Sequence, residues 1–240
     1  METIKLSDIV RIASNVSLLL PLLFYIRSIQ TAAKPIHIIG ALVIVSGLSD
    51  IIGLVLLQQQ QPTVILFNLY YMVLFCLLTW FYYRILFAPT HPVWVWAGIG
   101  LYILSFIAIT AFAQPFSQYQ TLLWLVTAMI MIIYSVGYFF YSLSRIGSAT
   151  YFGSGLIWIN IGVMIYFVMN LYLFVMGDYV LTQLDAETSA LIWSSHNLNN
   201  ILKNVLFAIG FYFAGTQARK KQDGGGVSIR EREMEGISSA

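Results

Sequence analysis

The sequence predicts an all-α membrane protein, a bundle of about seven transmembrane helices with its N-terminus outside and its C-terminus in the cytoplasm. Three observations carry this. Of 240 residues, 59% are hydrophobic and only 9% are charged, against about a quarter charged in soluble proteins, so the chain lacks the polar surface to cover itself in water. The apolar residues gather in runs of roughly 20, the length that spans a bilayer at about 1.5 Å per residue. Lys and Arg fall in alternate connections, as they do when one side of a membrane retains them.

The runs are Ile9–Ile26, Pro35–Leu57, Thr63–Phe87, Val93–Phe112, Thr121–Leu143, Gly155–Val180 and Thr188–Phe213. Only helices and closed barrels satisfy the backbone within lipid, and these runs are too long for the roughly ten-residue strands of a barrel. The first run follows METIKLSD, which lacks a basic leader and a cleavage site, and is expected as a mature helix rather than a signal peptide. The breaks TAAKP and APTHP contain prolines that start or stop helices. RIGSATYFGSG is a Gly/Ser connection, and in GDYVLTQLDAET either Asp185 or Thr188 is expected to cap the seventh helix. Arg27, Lys34, Arg84, Arg145 and the tail residues Arg219, Lys220 and Lys221 set the odd connections and the C-terminus on the cytoplasmic side. The expected division is a membrane domain over 1–215 and a disordered cytoplasmic tail over 216–240, polar and containing a GGG run. Localisation in the inner (plasma) membrane follows, with the bilayer itself as the first partner. Nothing resembles a nucleic-acid surface.

Cys76, the one cysteine, is expected as a buried small hydrophobe. Trp94 and Trp96, with Trp80, Tyr82 and Tyr83, read as an interfacial belt on the cytoplasmic side. His37 and His91 stand at helix ends beside proline turns.

Ionisable groups inside a span are costly and mark function. Three interrupt the runs: Asp50, His196 and Lys203. On segment seven, His196, Asn200 and Lys203 share one helical face, joined by Asn199 and flanked by Asn204. Such a stripe turns to the bundle interior, either as interhelical packing or as a ligand, ion or proton site. By depth, Asp50 meets His196 as first choice and Lys203 as second, Lys203 being roughly 10 Å deeper; a carboxylate beside His196 would couple it to pH. Asn15, Asn68, Thr127 and Asn170 fall in the same outer half. With Asp50 and His196 they are expected to line an outward-facing pocket on the strength of their common depth, though each alone reads more often as a satisfied interhelical hydrogen-bonder.

No metal spacing, HExxH, GxSxG or phosphate-binding loop occurs, so no cofactor is expected, and a hydrolase using Asp50 and His196 through water would rest on those two groups alone. Three function classes stand. The leading one is a sensory or ligand-binding module that passes a helix shift to a cytoplasmic or membrane signalling partner, with no output domain expected after segment seven. The second is a small solute or proton-coupled transporter, for which the halves show no evident repeat. The third is a retinal protein using Lys203, for which segment three offers no carboxylate counterion.

GLSDIIGLVLL, FNLYYMVLFCLLTWFYY and HNLNNILKNVLFAIGF together resemble a group of uncharacterised bacterial seven-helix membrane proteins, loosely associated with sensor histidine kinases. Asp50, Asn68, Tyr70, His196, Asn197, Asn200, Lys203 and Asn204 fit that pattern. Leu74 departs from it, standing where the resemblance implies a Glu. The resemblance implies a fold, not an activity, and adds little weight to signalling.

Overall fold

The apolar runs fold as helices, each bounded where its sequence stops supporting one. A computed structural model describes residues 5–87, 93–145 and 153–238. The helices are α1 (Leu6–Ser17), α2 (Leu19–Ser28), α3 (Lys34–Gln58), α4 (Val64–Tyr82), α5 (Val93–Phe112), α6 (Thr121–Arg145), α7 (Gly155–Thr182) and α8 (Ala186–Ser238), with a π-helical turn over Tyr83–Phe87 closing α4. His91 and most of the connection from 146 to 154 lie outside the described residues.

Six helical spans among the described residues are long and apolar enough to cross a membrane: Leu6–Ser28, Lys34–Gln58, Val64–Leu86, Val93–Phe112, Thr121–Ser144 and Gly155–Val180. They make the chain a polytopic helical membrane protein. The seventh predicted segment lies in α8 and is not among the six, because its amides, His196 and Lys203 dilute its apolar content.

The first span is broken at Leu18, between α1 and α2. Pro21 has no N–H to give the carbonyl of Ser17, so the ladder fails one turn before it. Leu18 closes α1 by bonding back to Asn15 O at 3.3 Å. At α3, Pro35 occupies the first turn, where a missing N–H costs nothing. Its other end closes with Gln61 N–H bonding to Leu56 O at 2.8 Å, while Gln60 takes a left-handed φ of 55°. Asp185 caps α8, its Oδ1 accepting from the backbone N–H of Thr188 at 2.9 Å and of Glu187 at 3.1 Å.

α8 is the hub. It packs along α7, α2 and α1. Against α7 the backbones come together at Gly155 and Gly210: a Cβ on Gly155 would stand 2.3 Å from Gly210 O, so only small residues permit the contact. Beyond Phe213 the α8 backbone stays helical to Ser238, through the stretch whose composition predicts a disordered tail; extending an existing helix needs no new nucleus.

The half of the bundle containing the α2–α3 connection and the end of α4 is closely packed. Phe81, Tyr82, Ile157, Ile159, Phe207 and Phe211 are each at most 1% exposed. Tyr82 is thus not part of an interfacial belt. Its hydroxyl is 2.6 Å from Ser135 Oγ and donates to Asn160 Oδ1 at 2.8 Å, an interior network. Trp80, Trp94 and Trp96 are exposed on the outside of the bundle, at 56%, 70% and 65%. Cys76 is exposed too, not buried as expected; on α4 it falls on the face opposite Leu74 and Leu78, which take the core.

Candidate functional site

The other half of the bundle, at the end shared by the start of α1 and the α3–α4, α5–α6 and α7–α8 connections, holds a cavity of about 370 Å³. Three helices each give it one face at helical spacing. α1 supplies Arg11, Ser14 and Asn15, with Leu18 at its break from α2; α3 supplies Ser46, Ser49, Asp50, Gly53, Leu54 and Leu57. α8 supplies Trp193, His196, Asn197, Asn200, Lys203 and Asn204. The separations of three, four and seven residues put each set on one side of its helix. An aromatic wall completes the enclosure: Phe67, Tyr70 and Tyr71 from α4, Tyr119, Trp124 from α6 and Tyr166 from α7. Tyr71 stacks on Trp124 with centroids 4.4 Å apart.

The floor is formed by Ser46, Tyr70, Tyr166, Lys203 and Asn204. Below them is a void of only about 10 Å³, walled by Leu42, Leu74, Leu78, Phe167 and Phe207, room for one water at most. The cavity therefore ends in packed hydrocarbon.

Hydrogen bonds fix the walls. Ser46 Oγ donates to Leu42 O at 2.9 Å, so at 2.9 Å it accepts from Tyr70. The Tyr71 and Tyr166 hydroxyls lie 3.2 Å apart. Asn204 Nδ2 donates to Ser17 Oγ at 2.8 Å, tying α8 to the last residue of α1 before the break. At the rim Arg11 pairs with Asp8 at 3.0 Å, and Lys5 reaches Glu187 at 3.3 Å, both side chains largely exposed.

Within this frame three donors lack partners among the described residues: Ser49 Oγ and the indole nitrogens of Trp124 and Trp193. Each belongs to a residue lining the cavity. These three atoms are themselves buried, so they are shielded from the cavity as well as unbonded, and each costs about 1–3 kcal/mol.

The predicted site residues separate into two groups. Asp50, His196, Asn200, Lys203 and Asn15 line the cavity. Asn170 stands behind it, fully buried, and holds His196. Asn68 does something else: its Nδ2 donates to Phe116 O at 3.0 Å and Gln118 O at 2.8 Å, and its Oδ1 accepts from Gln120 N at 3.2 Å. It pins the α5–α6 connection. Thr127 returns its hydroxyl to Leu123 O at 3.0 Å.

The order of partners also changes. His196 Nδ1 lies 3.0 Å from Asn170 Oδ1, so its partner is an amide and not the Asp50 carboxylate. Asp50 and Lys203 both line the cavity, yet no ion pair joins them among the described residues. Lys203 Nζ instead donates to Asn200 Oδ1 at 2.9 Å and stands 4.7 Å above the Tyr166 ring. Depth along two helices did not foresee this, because facing also depends on rotation about each axis.

Sequence reasoning missed Ser46, Ser49, Trp193 and, apart from Tyr70, the aromatic wall. Ser46, Ser49, Asp50 and Gly53 follow one another at three, four and seven residues, and that polar face was there to be read. The wall was not, since Tyr and Trp of cavity, core and belt look alike in sequence. Comparison with protein-family models, curated proteins and solved structures finds no match.

Proposed function

We propose that this polytopic membrane protein is a ligand-binding module. Its cavity opens to the outside, α8 is the seventh crossing, the N-terminus lies outside and the C-terminus faces the cytoplasm. The observation that carries the reading is a carboxylate, Asp50, unpaired among the described residues, and an ammonium, Lys203, held only by an amide and a ring face, both on residues that line one space. A bundle that needed these groups only for packing would bond them to one another.

The seventh crossing is supported by the way α8 distributes its residues. Leu191, Leu198, Leu202, Val205 and Tyr212 lie along its exposed face, while its imidazole, amide and ammonium groups turn inward. A helix in water does the reverse. The outward cavity is supported by the Lys and Arg bias, which sets the opposite end in the cytoplasm. Occupancy would shift α8, which lines the cavity, relative to α7 and α2, and α8 continues beyond the bundle. A signalling partner on the cytoplasmic side fits that continuity and is part of the same proposal.

Cysteine accessibility tests it. In a Cys76→Ser background, Asn197→Cys is expected to react with a membrane-impermeant maleimide added to intact cells. Labelling only after permeabilisation would reverse the orientation. No labelling from either side would mean a sealed void and would remove the ligand-binding reading.

A further inference from the structure

We propose that the ligand is a zwitterion of amino-acid chemistry with an aromatic body, its ammonium on Asp50 and its carboxylate on Lys203. This rests on the ligand-binding reading above and adds the class of ligand.

The charge balance of the cavity carries it. Of the four titratable groups lining the cavity besides the tyrosines, Arg11 is neutralised by Asp8 at the rim and His196 spends Nδ1 on Asn170. What remains is one carboxylate and one ammonium, Asp50 on α3 and Lys203 on α8. They face a common space and form no ion pair with each other among the described residues. A ligand of net charge would pair with one of them and leave the other uncompensated. A dipolar ligand satisfies both and brings no net charge.

The remaining polar groups refine the polarity. The Lys203 ammonium makes one hydrogen bond among the described residues, to Asn200. Its remaining N–H groups suit carboxylate oxygens, which accept several hydrogen bonds at once. Asp50 has no hydrogen-bond donor of its own among the described residues, so its carboxylate is the acceptor left for an ammonium. For the apolar body the cavity offers Phe67 and the stacked Tyr71–Trp124 pair. A space of about 370 Å³ lies within the range of small-molecule sites.

The test uses the full chain in lipid nanodiscs and reads binding by calorimetry and by thermal unfolding. The probes are phenylalanine, tyrosine and tryptophan, each with its decarboxylated amine and its deaminated acid. At least one amino acid is expected to bind, with both single-charge analogues at least tenfold weaker. Asp50→Asn is expected to erase the preference over the deaminated acid, and Lys203→Met the preference over the amine. The wild-type analogue series stands even if a variant fails to fold. Equal binding of an analogue overturns the zwitterion while leaving a ligand site. Absence of binding across the series overturns it as well, and the Asn197→Cys labelling then tells whether the cavity is still an open binding site.

Discussion

Asn170 holds both His196 and Asn199 through one oxygen, its Oδ1 lying 3.0 Å from His196 Nδ1 and 3.2 Å from Asn199 Nδ2. The amide nitrogen of Asn170 donates to Tyr166 O at 2.7 Å, so the oxygen can only accept. His196 must then carry its proton on Nδ1, and Nε2 is the ring nitrogen left over. Asn170→Leu strands two donors, an imidazole N–H and an amide N–H. It is expected to lower stability by about 1–3 kcal/mol, read as an earlier unfolding transition in detergent. Unchanged unfolding would mean that water or a new partner replaces Asn170.

Gly155 and Gly100 should respond oppositely to the same substitution. A Cβ at Gly155 meets Gly210 O at 2.3 Å and Ala214 N at 2.9 Å, both backbone atoms. Gly155→Ala therefore forces α7 from α8 and is expected to cost about 1–3 kcal/mol, the usual penalty of overpacking. Gly100 has nothing within 4 Å of the added carbon. Gly100→Ala is expected to stabilise α5 by about 0.5–1 kcal/mol through backbone entropy. Paired thermal melts decide it; equal effects would show that the α7–α8 contact yields easily.

At the start of α8, the N–H groups of Thr188 and Glu187 hold the Asp185 carboxyl below the usual carboxylate range. A depressed folded value stabilises the ionised state of the cap. That contribution is complete above the ordinary Asp value of about 3.9 and disappears as pH falls through the lower folded value. The gap in unfolding temperature between the parent protein and Asp185→Ala should thus be constant near neutrality and close only below about pH 4. A gap that closed between pH 5 and 7 would point to another titrating group.

Gln60 sits at φ 55° where α3 ends, a conformation that costs an L-residue roughly 1–2 kcal/mol. Gln60→Gly removes that cost and gives back part of it in chain entropy, so a net gain of about 0.5–1 kcal/mol is expected in the same melts. Gln60→Val, a β-branched residue, should destabilise. A loss with glycine would mean that the Gln60 side chain itself holds the α3–α4 connection.

How much of the site was legible differs residue by residue. Asp50, His196 and Lys203 stood out because an ionisable group in an apolar run is expensive wherever it points. Asn170 and Asn68 looked alike, each an amide in the outer half of a span. One supports His196 and the other pins a connection, since an amide bonds to whatever the neighbouring element presents. Tyr82 was placed at an interface by composition and is in the core, because the π-helical turn that follows it and the partners Ser135 and Asn160 cannot be read locally.

Sequence alone determined that the chain forms apolar helices, where most of them begin and end, and that the last one carries a polar stripe. These follow from local quantities, namely run length, proline position and the 3.6-residue period. Only the tertiary structure decided which groups meet. It paired His196 with Asn170, left Asp50 and Lys203 facing a common cavity unbonded, turned Cys76 outward and brought Gly155 against Gly210. Those outcomes depend on how each helix is rotated and how closely it approaches its neighbours, which no single helix encodes.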